Sequence, residues 1–571
     1  MSAFGIDLGT TNSSISRIDG GKPVALPIDG GPLVPSVVLY RDGQVVVGRQ
    51  ARNQELQWPG ETLRSVKRKM GTEHRWRLGS TEVSPEEASA EILRALKRGA
   101  EAATGEAVRD VVITVPAYFD DAQRRATLKA GELAGLNVLR LLNEPTSASL
   151  VYDQVRKADG APEIVLVYDL GGGTFDVSVL EVFEGVREVR ATAGNTHLGG
   201  DDFDEALVRM LADHLRARSK VDPLADAKAR VRLARIAEAA KIRLSSDTEL
   251  EIAEEFLLAD DQGKPVHLRH KLSRRQLEQA IAPLLESTVE LCQQALSEAK
   301  LVGGQKLSRI LLVGGSTRIP LVRSLLRAAF PDAPIHEEID PDLAVALGAS
   351  VQAGLLQGVA LERILVDVTA HSLGMCVESE EDFYRERVDT YAPVLHRNTV
   401  LPATRTEEFY TLVDNQKLVK VDVYQGEAPR ASQNSLIGTF DFDLRPAPQS
   451  SPVRVEFAYD LNGVVRVSVS QPGTDNAKTV ALSVADAAAS SSSASVERKA
   501  KALLETVVGD AKKDLEAALE RWRAAQGEDR EAAEDALLDL FLALEDDGDA
   551  GAEDDGGEDD GGDDDTESGE R

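Results

Sequence analysis

The chain has 571 residues and a formal net charge of −31, and its length predicts two to four domains. The acidic balance disfavours nucleic acid as a partner, because phosphate groups would be repelled. The aromatic content of 4% also argues against a base-stacking surface. The two cysteines, Cys292 and Cys376, cannot build a disulfide framework or a cysteine metal cluster. No uncharged stretch reaches the roughly 20 residues of a membrane-spanning helix, and a strand-like run begins by Phe4, so we expect a cytoplasmic protein without a signal peptide.

Up to about residue 361, short aliphatic runs alternate with longer amphipathic patterns. Residues 109–119, 163–170 and 308–316 have the aliphatic composition of buried strands. Residues 84–103 and 273–300 have helical periodicity, and each segment opens with a serine placed to cap a helix. This alternation predicts a layered α/β domain.

The pattern changes near residue 361. Between residues 366 and 484, short β-branched runs are interrupted by glycine, proline and asparagine, and the Asn462-Gly463 pair predicts a tight hairpin. This region therefore predicts an all-β domain, most simply a sandwich. An apolar segment at 362–368 separates it from the α/β domain.

The C-terminal region contains three further segments. A serine- and alanine-rich linker at 485–494 precedes a helical region at 495–545. The last segment, 546–571, is rich in glycine, aspartate and glutamate, and we predict that it is disordered because it cannot bury enough apolar surface to fold.

One phrase occurs twice in the chain. "FGIDLGTTNSSISRI" (4–18) and "VLVYDLGGGTFDVSVLE" (165–181) each run from an apolar strand through aspartate, glycine and threonine into a second strand. Glycines in such a hairpin let backbone N–H groups approach an anion closely. Asp7 and Asp169, at the strand ends, are placed to hold Mg²⁺ through water. The repetition predicts a duplicated fold that grips one polyphosphate from both sides, without the P-loop motif.

Three other segments extend this prediction. Residues 113–127 supply a proline and an arginine after a buried strand, and residues 139–150 place Glu144 at the head of a helix. Residues 310–320 contain a strand, two glycines, Ser316 and Arg318. The glycines could let a purine lie on the backbone while the guanidinium stacks on its face.

Together these motifs resemble the seventy-kilodalton heat-shock chaperone family of the bacterial DnaK type. The resemblance runs from residue 3 to about 484 and is weaker in the helical region. It rests on seven motifs in the family's order, "GIDLGTTNS", "VPAYFDDAQR", "NEPTSAS", "DLGGGTFDVS", "GNTHLGGDDFD", "GGSTRIP" and "IDPDLAVALGA". It implies a two-lobed, actin-like ATPase domain at 1–361, the linker at 362–368, a peptide-binding β-sandwich at 369–484, a short helical lid at 495–545 and the acidic tail.

The resemblance implies specific roles around a bound ATP or ADP with Mg²⁺ and K⁺. The residues implied in catalysis and metal orientation are Asp7, Lys67, Glu144, Asp169, Thr174 and Asp176. Those implied in the phosphate loops are Gly9, Thr10, Thr11, Asn12, Gly171, Gly172 and Gly173, and Gly199 and Gly200 are also implied in cofactor binding. Those implied at the adenosine are Glu238, Lys241, Ser245, Gly314, Gly315, Ser316, Arg318 and Asp342. Without the resemblance, we would assign Lys67 to a solvated basic face, and Glu238 with Lys241 to an ordinary helix pair.

The resemblance also implies how the domains communicate. Pro116 and Arg124 match a relay from nucleotide to interface, and Arg140 matches the partner of the linker residue Asp367. Met375, Phe409 and Val419 would line a peptide pocket and Leu412 would arch over it, although Phe409 and Val419 could also be plain sandwich core. The chain departs from the family where Ala370 replaces a proline and His371 an apolar residue.

Three functions remain open from these residues. The first is an ATP-driven chaperone that binds exposed apolar segments of unfolded polypeptides, with a J-domain co-chaperone and a nucleotide exchange factor as partners. The second is an actin-like small-molecule kinase, which leaves the region after residue 366 unexplained. The third is a filament-forming or scaffold ATPase, in which the β-domain recruits a partner.

Overall fold

A computed structural model describes most of the chain. The described residues are 3–79, 81–152, 162–183, 185–260, 262–301, 306–336, 339–359, 364–377, 389–482, 500, 510–524, 537 and 540. They divide into two compact units, Met1–Val484 and Ala485–Arg571. The first unit contains both the α/β domain and the β-domain.

The first half of the α/β domain is built on a six-stranded sheet. Its strands and those of two small neighbouring sheets are β1 (Phe4–Asp7), β2 (Asn12–Asp19), β3 (Lys22–Ala25), β4 (Val34–Pro35), β5 (Val38–Arg41), β6 (Gln44–Val47), β7 (Thr62–Leu63), β8 (Trp76–Leu78), β9 (Thr81–Val83), β10 (Asp110–Val115) and β11 (Asn137–Asn143). The main sheet has the order β11-β10-β1-β2-β3, with β4 on β2. β1 and β2 form an antiparallel hairpin, whereas β10 lies parallel to both β1 and β11.

The second half repeats this arrangement. Its strands are β12 (Glu163–Leu170), β13 (Phe175–Phe183), β14 (Val186–Asn195), β15 (Glu249–Ala259), β16 (Pro265–Ser273), β17 (Leu307–Val313), β18 (Ile335–His336) and β19 (Ile364–Val366). The sheet order is β18-β17-β12-β13-β14-β19, with an antiparallel β12–β13 hairpin and parallel β17 and β18. The first five strands match β11-β10-β1-β2-β3 in order and direction, so the predicted duplication is confirmed.

Helices cover these sheets, and one described helix belongs to the second unit. They are α1 (Arg49–Gln54), α2 (Pro85–Thr104), α3 (Asp121–Leu133), α4 (Glu144–Tyr152), α5 (Gly200–Ser219), α6 (Ala227–Leu244), α7 (Arg274–Glu298), α8 (Pro320–Ala329), α9 (Ala344–Leu356) and α10 (Asp510–Ala524). Ser84 and Ser273 cap α2 and α7 as predicted, each in a reciprocal capping box that satisfies free backbone donors. Within the described ranges, none of the helices combines the length and apolar composition needed to cross a bilayer.

The β-domain is the predicted sandwich. Its strands are β20 (Leu373–Val377), β21 (Thr390–Leu395), β22 (Ala403–Tyr410), β23 (Leu418–Gln425), β24 (Ser435–Asp443), β25 (Pro452–Tyr459), β26 (Val465–Ser470) and β27 (Ala477–Ala481). They form two four-stranded sheets, β21-β20-β23-β24 and β22-β25-β26-β27. The alternating apolar residues of both sheets share one core, which drives their association. Asn462 and Gly463 lie in the turn of the β25–β26 hairpin, as predicted.

In the second unit, α10 has a buried apolar face that includes Leu515, Leu519 and Trp522. These residues belong to the helical face predicted from the sequence. The predicted linker at 485–494 and tail at 546–571 lie outside the described residues, as does most of the lid at 495–545.

Candidate functional site

The two glycine hairpins face one cavity in the α/β domain, with a volume of about 330 Å³. Both halves of the domain contribute to its walls. The predicted nucleotide residues that line it are Asp7, Gly9, Thr10, Thr11, Asn12, Lys67, Glu144, Asp169, Gly171, Gly172, Thr174, Glu238, Lys241, Ser245, Gly314, Gly315, Ser316, Arg318 and Asp342. Folding therefore brings together residues that are more than 300 positions apart in the chain.

The hairpin turns approach each other so closely that glycine is required. Gly171 N donates to Thr174 O at 3.1 Å, which closes the second turn. A Cβ atom on Gly172 would overlap the side chain of Thr11 in the first hairpin. The tips of the two phosphate loops therefore touch, and their backbone groups border the same cavity.

Four predicted residues, Gly173, Asp176, Gly199 and Gly200, do not line the cavity. A Cβ atom on Gly199 would lie 2.7 Å from Gly172 C, and Gly200 N donates to Gly171 O at 3.0 Å. Both glycines at the start of α5 therefore support the second phosphate loop from behind. Asp176 is buried and accepts a hydrogen bond from Tyr118 N at 3.0 Å.

Lys67 is buried rather than part of a solvated basic face. Its side chain is only 5% exposed, and Nζ donates to Glu144 Oε1 at 2.5 Å. Lys69, two residues further along the same 3₁₀ turn, is exposed. An ammonium group that is buried away from water must have an anionic partner. Lys67 and its partner Glu144 both line the cavity beside the hairpins.

Buried carboxyl groups are concentrated in and directly behind the cavity wall. Burial, followed by repulsion from Glu144, raises the pKa of Asp7 to about 7 and the pKa of Asp176 to about 7. The pKa of Asp169 is raised well above its usual value for the same two reasons. The buried Asp169 Oδ2 atom has no hydrogen-bond partner. A cation brought into the cavity would remove this repulsion.

These residues fit a hydrated Mg²⁺. Mg²⁺ keeps several of its waters and takes few carboxylates, so the unsatisfied Oδ2 atom of Asp169 and the neighbouring Asp7 could hold it through water. When bound with a nucleotide, Mg²⁺ neutralises phosphate charge.

The residues of α6 that were predicted to hold the adenosine have polar partners of their own. Arg52 and Arg64 donate to Glu238 Oε2 at 2.6 and 3.3 Å, and Lys241 Nζ donates to Asp204 Oδ2 at 2.8 Å. Glu238 and Lys241 thus have separate partners instead of forming an ordinary helix pair. These contacts hold α6 against its neighbours, with Ser245 at its end.

The opposite wall is formed by the turn after β17. Gly314 has a φ of +81°, which favours glycine, and a Cβ atom there would overlap Leu170 O. Arg318 forms ion pairs with Asp340 at 2.6 Å and Asp342 at 3.0 Å while lining the cavity. These contacts orient the guanidinium that we predicted to stack on a purine.

Sequence reasoning missed the apolar part of the lining. It consists of Leu33, Ile242, Ile319, Pro341 and Val345. Ile242 could have been found from its spacing, because it lies four residues after Glu238 on the same predicted helix. The others carry no polar signal that separates them from ordinary core residues.

Comparison with known proteins gives a consistent result. The family model described as "Hsp70 protein" matches residues 3–78 and 75–559. Chaperone protein DnaK of Thermotoga petrophila (strain ATCC BAA-488) is 42% identical over 487 residues, which are 84% of this chain and 80% of that protein. The proteins of the same name from Thermotoga maritima and Thermotoga sp. strain RQ2 match to the same extent.

The chain belongs to the Hsp70 family. It is therefore an ATPase and an ATP-dependent molecular chaperone, with the family's two-lobed ATPase domain followed by a β-sandwich. Members of this family generally bind ATP or ADP with Mg²⁺, and they bind unfolded peptides and co-chaperones.

Among the residues predicted for Hsp70 domain communication, Arg124 contacts the β-domain directly. Buried Arg124 donates to Asn143 Oδ1 at 2.8 Å and to Asn462 O, in the β-domain hairpin, at 3.2 Å. Pro116 is buried at the end of β10, which leads towards α3. The ATPase domain therefore reaches the sandwich through a buried arginine.

The linker aspartate interacts with the charge of the predicted Arg140 and is hydrogen bonded to a further residue. Asp367 Oδ2 accepts from Asn143 Nδ2 at 2.9 Å, and Asp367 Oδ1 accepts from Val368 N. Arg140 is near enough for the Asp367 charge to favour its protonated form, yet its buried Nε atom has no hydrogen-bond partner, and burial lowers the pKa of Arg140. The side-chain amide of Asn143 bridges Asp367 to Arg124.

The residues predicted for the Hsp70 peptide pocket are divided between core and surface. Met375 is buried in the sandwich, and Phe409 and Val419 pack partly buried against the same core. Leu412 is 58% exposed, beside similarly exposed Val413. In this structure the first three contribute to core packing, and Leu412 presents apolar surface to solvent.

Proposed function

We propose that ATP binding and hydrolysis switch the affinity of the β-domain for extended apolar peptides through the linker strand β19. The supporting observation is that β19 adds a parallel edge strand to the nucleotide-binding sheet, pairing Ile364 with Val186 and Val366 with Glu188. β14 is hydrogen bonded to β13, which begins directly after the second phosphate loop. A strand that attaches and detaches is a two-state element of the kind that switching requires.

Hydrolysis would depend on placement and charge neutralisation rather than on covalent chemistry. We assign Lys67 to positioning the attacking water and the terminal phosphate, with Glu144, Asp176 and Thr174 orienting water and cations. The backbone N–H groups of the two hairpins would stabilise charge that develops on the phosphate. The raised pKa values of Asp7 and Asp176 support Mg²⁺ and a further cation, K⁺, as partners.

Peptide binding is assigned to the face that includes Leu412, with Met375, Phe409 and Val419 forming the pocket when the sandwich rearranges. Large side chains at 410, 412, 413 and 418 are all exposed, and this supports the assignment because exposed apolar surface is available to a partner. A lid shorter than usual for the family predicts faster peptide exchange. Peptide release rates equal to those of a full-lidded relative, both with ADP, would contradict that expectation.

The proposed partner proteins and cellular location follow from membership of the family. A J-domain co-chaperone would accelerate hydrolysis and a nucleotide exchange factor would accelerate ADP release, in the cytoplasm. Nucleic acid and membrane are not proposed as partners, and the acidic tail is assigned a solubilising role.

The decisive experiment measures ATP turnover by the full chain with and without an unfolded apolar peptide. Peptide should stimulate hydrolysis, and ATP should accelerate release of a bound fluorescent peptide relative to ADP. Equal release rates with both nucleotides would overturn the proposal. Sugar-dependent ADP formation would favour the kinase instead, and nucleotide-dependent sedimentation would favour the scaffold ATPase.

A further inference from the structure

Ser36 lies directly behind the first phosphate loop, residues 9–12. It follows the short strand β4, which pairs with the start of β2 through Pro35 opposite Asn12 and Val34 opposite Ser13. The residue is only 1% exposed. A hydroxyl buried this deeply needs hydrogen-bond partners, and Ser36 has one of them in the loop.

Ser36 binds the loop through two separate groups. Its Oγ atom donates to Gly9 O at 2.7 Å, and its backbone N–H donates to Thr11 O at 2.9 Å. In a trans peptide unit, the C=O and N–H groups point in opposite directions. The carbonyls of Gly9 and Thr11 therefore face Ser36. The N–H groups of the following residues, Thr10 and Asn12, point away from it.

The direction of these N–H groups matters because the loop borders two cavities. Residues 9–12 line the nucleotide cavity, whereas Ser36 lines a second cavity of about 200 Å³ together with Thr10 and Thr11. N–H groups that face the nucleotide cavity would attract phosphate, and carbonyl oxygens that face it would repel phosphate. By holding two carbonyls on its own side, Ser36 keeps the donors on the side of the nucleotide.

The second hairpin has an equivalent contact. Gly171 lies two residues after Asp169, just as Gly9 lies two residues after Asp7. The Gly171 carbonyl accepts from the buried hydroxyl of Ser316 at 2.9 Å. Serines from two unrelated segments thus donate to equivalent carbonyls in the two halves of the domain, which argues against an incidental contact.

We propose that Ser36 is a positioning residue for the nucleotide, whose hydroxyl holds the backbone of the first phosphate loop in the orientation that binds phosphate. This inference rests on the proposed assignment of the two hairpins to the phosphates, and it adds the residue that orients the first of them. Ser36 acts through Gly9, because it is not among the residues that line the nucleotide cavity.

The direction of the hydroxyl bonds supplies a matched control. Gly9 O can only accept, so the single hydroxyl proton of Ser36 is directed to it. Ser13 Oγ, 2.9 Å from Ser36 Oγ, is then the donor in the contact between the two serines. Ser13 is completely buried. Ser13→Ala therefore removes a buried hydroxyl at the same place and leaves the bond to Gly9 intact.

The experiment compares ligands that differ in their phosphates. Calorimetric titration of the full chain with ATP, ADP and adenosine, each with Mg²⁺, measures three affinities. Ser36→Ala should weaken the affinities for ATP and ADP about tenfold, because the Gly9 carbonyl loses its donor and the loop loses its orientation. The affinity for adenosine should change less than about twofold, because adenosine carries no phosphate, and its binding shows that the variant is folded.

Two further variants separate the hydroxyl from its surroundings. Ser36→Thr retains the hydroxyl, and the second cavity beside residue 36 offers space for the added methyl group. Its affinity for ATP should stay within about threefold of the wild type. Ser13→Ala should bind all three ligands within about twofold of the wild type, because the anchor on Gly9 remains.

Unchanged ATP affinity in Ser36→Ala would overturn the inference. An equal loss for adenosine and ATP would also overturn it, because the whole cleft would then be disturbed. The same holds if Ser13→Ala or Ser36→Thr loses as much ATP affinity as Ser36→Ala. These outcomes leave the assignment of the hairpins intact. That assignment fails if the wild type binds adenosine as tightly as ATP, a result that would overturn both.

Discussion

The nucleotide cleft and the peptide-binding face of the β-domain are built on different principles. The cleft gathers glycines, carboxylates and a buried lysine from many segments, and its polar groups converge on one cavity. On the β-domain, Met375 belongs to the apolar core and Leu412 faces solvent. Polar convergence identifies a site even without its ligand, whereas apolar residues have the same appearance in a pocket and in a core.

The largest expected effect is on the cleft. Lys67→Met should slow hydrolysis of bound ATP by about 100- to 1,000-fold, because a positioned charge is lost from a buried site. Single-turnover hydrolysis measures this rate. Lys69→Met, on the exposed neighbour, should stay within about twofold of the wild type.

Lys67→Met leaves Glu144 buried without its partner, so the double variant Lys67→Met/Glu144→Gln should also be tested. It removes the unpaired charge and should remain slow. Hydrolysis by either variant at a rate near that of the wild type would show that Lys67 does not act on the phosphate.

The second effect concerns the core of the sandwich. Met375→Ala should reduce the stability of the β-domain by about 2–4 kcal/mol, because it removes a buried side chain and leaves a cavity. Urea-dependent hydrogen exchange of β23 and β24 amides measures this loss. A change below about 0.5 kcal/mol would instead place Met375 in a pocket that is open to solvent.

The third effect tests the closely approaching glycines. Gly199→Ala should weaken ATP binding by about tenfold or more, because its Cβ atom would push the Gly172 backbone out of the phosphate loop. Calorimetric titration with ATP and Mg²⁺ measures the affinity. Gly60→Ala is the matched control, since its Cβ atom would meet open space. Equal affinities in the two variants would contradict the supporting role of Gly199.

The smallest effect is expected at the exposed part of the peptide-binding face. Leu412→Asp should weaken the affinity for an apolar peptide with ADP by about fivefold and leave unfolding unchanged, because this side chain has little packing to lose. Fluorescence anisotropy measures peptide affinity. Val24→Asp, at an exposed position of the ATPase domain, should not alter it. A loss of stability in Leu412→Asp would place this residue in the core.

The sequence predicted much of the fold and the polar part of the cleft. Repeated strand–glycine–strand phrases identified both hairpins, and serines three residues before Glu87 and Gln276 marked the starts of two helices. The apolar lining at Leu33 and Val345 was not predictable, because these residues have no polar signal. The partner of Asp367 was also not predictable, since Asn143 and Arg140 lie three residues apart and either could have reached it.

By itself, the amino-acid sequence determined the duplicated hairpins, the glycine turns and the carboxylates at the strand ends, because these depend on local periodicity and on backbone freedom. Only the tertiary structure decided which side chains share a low-dielectric environment. Lys67 became the partner of Glu144, His371 came to donate to Tyr118, and Met375 was placed in the core. Such pairings depend on close packing between segments distant in the chain, where burial determines which charges must be neutralised.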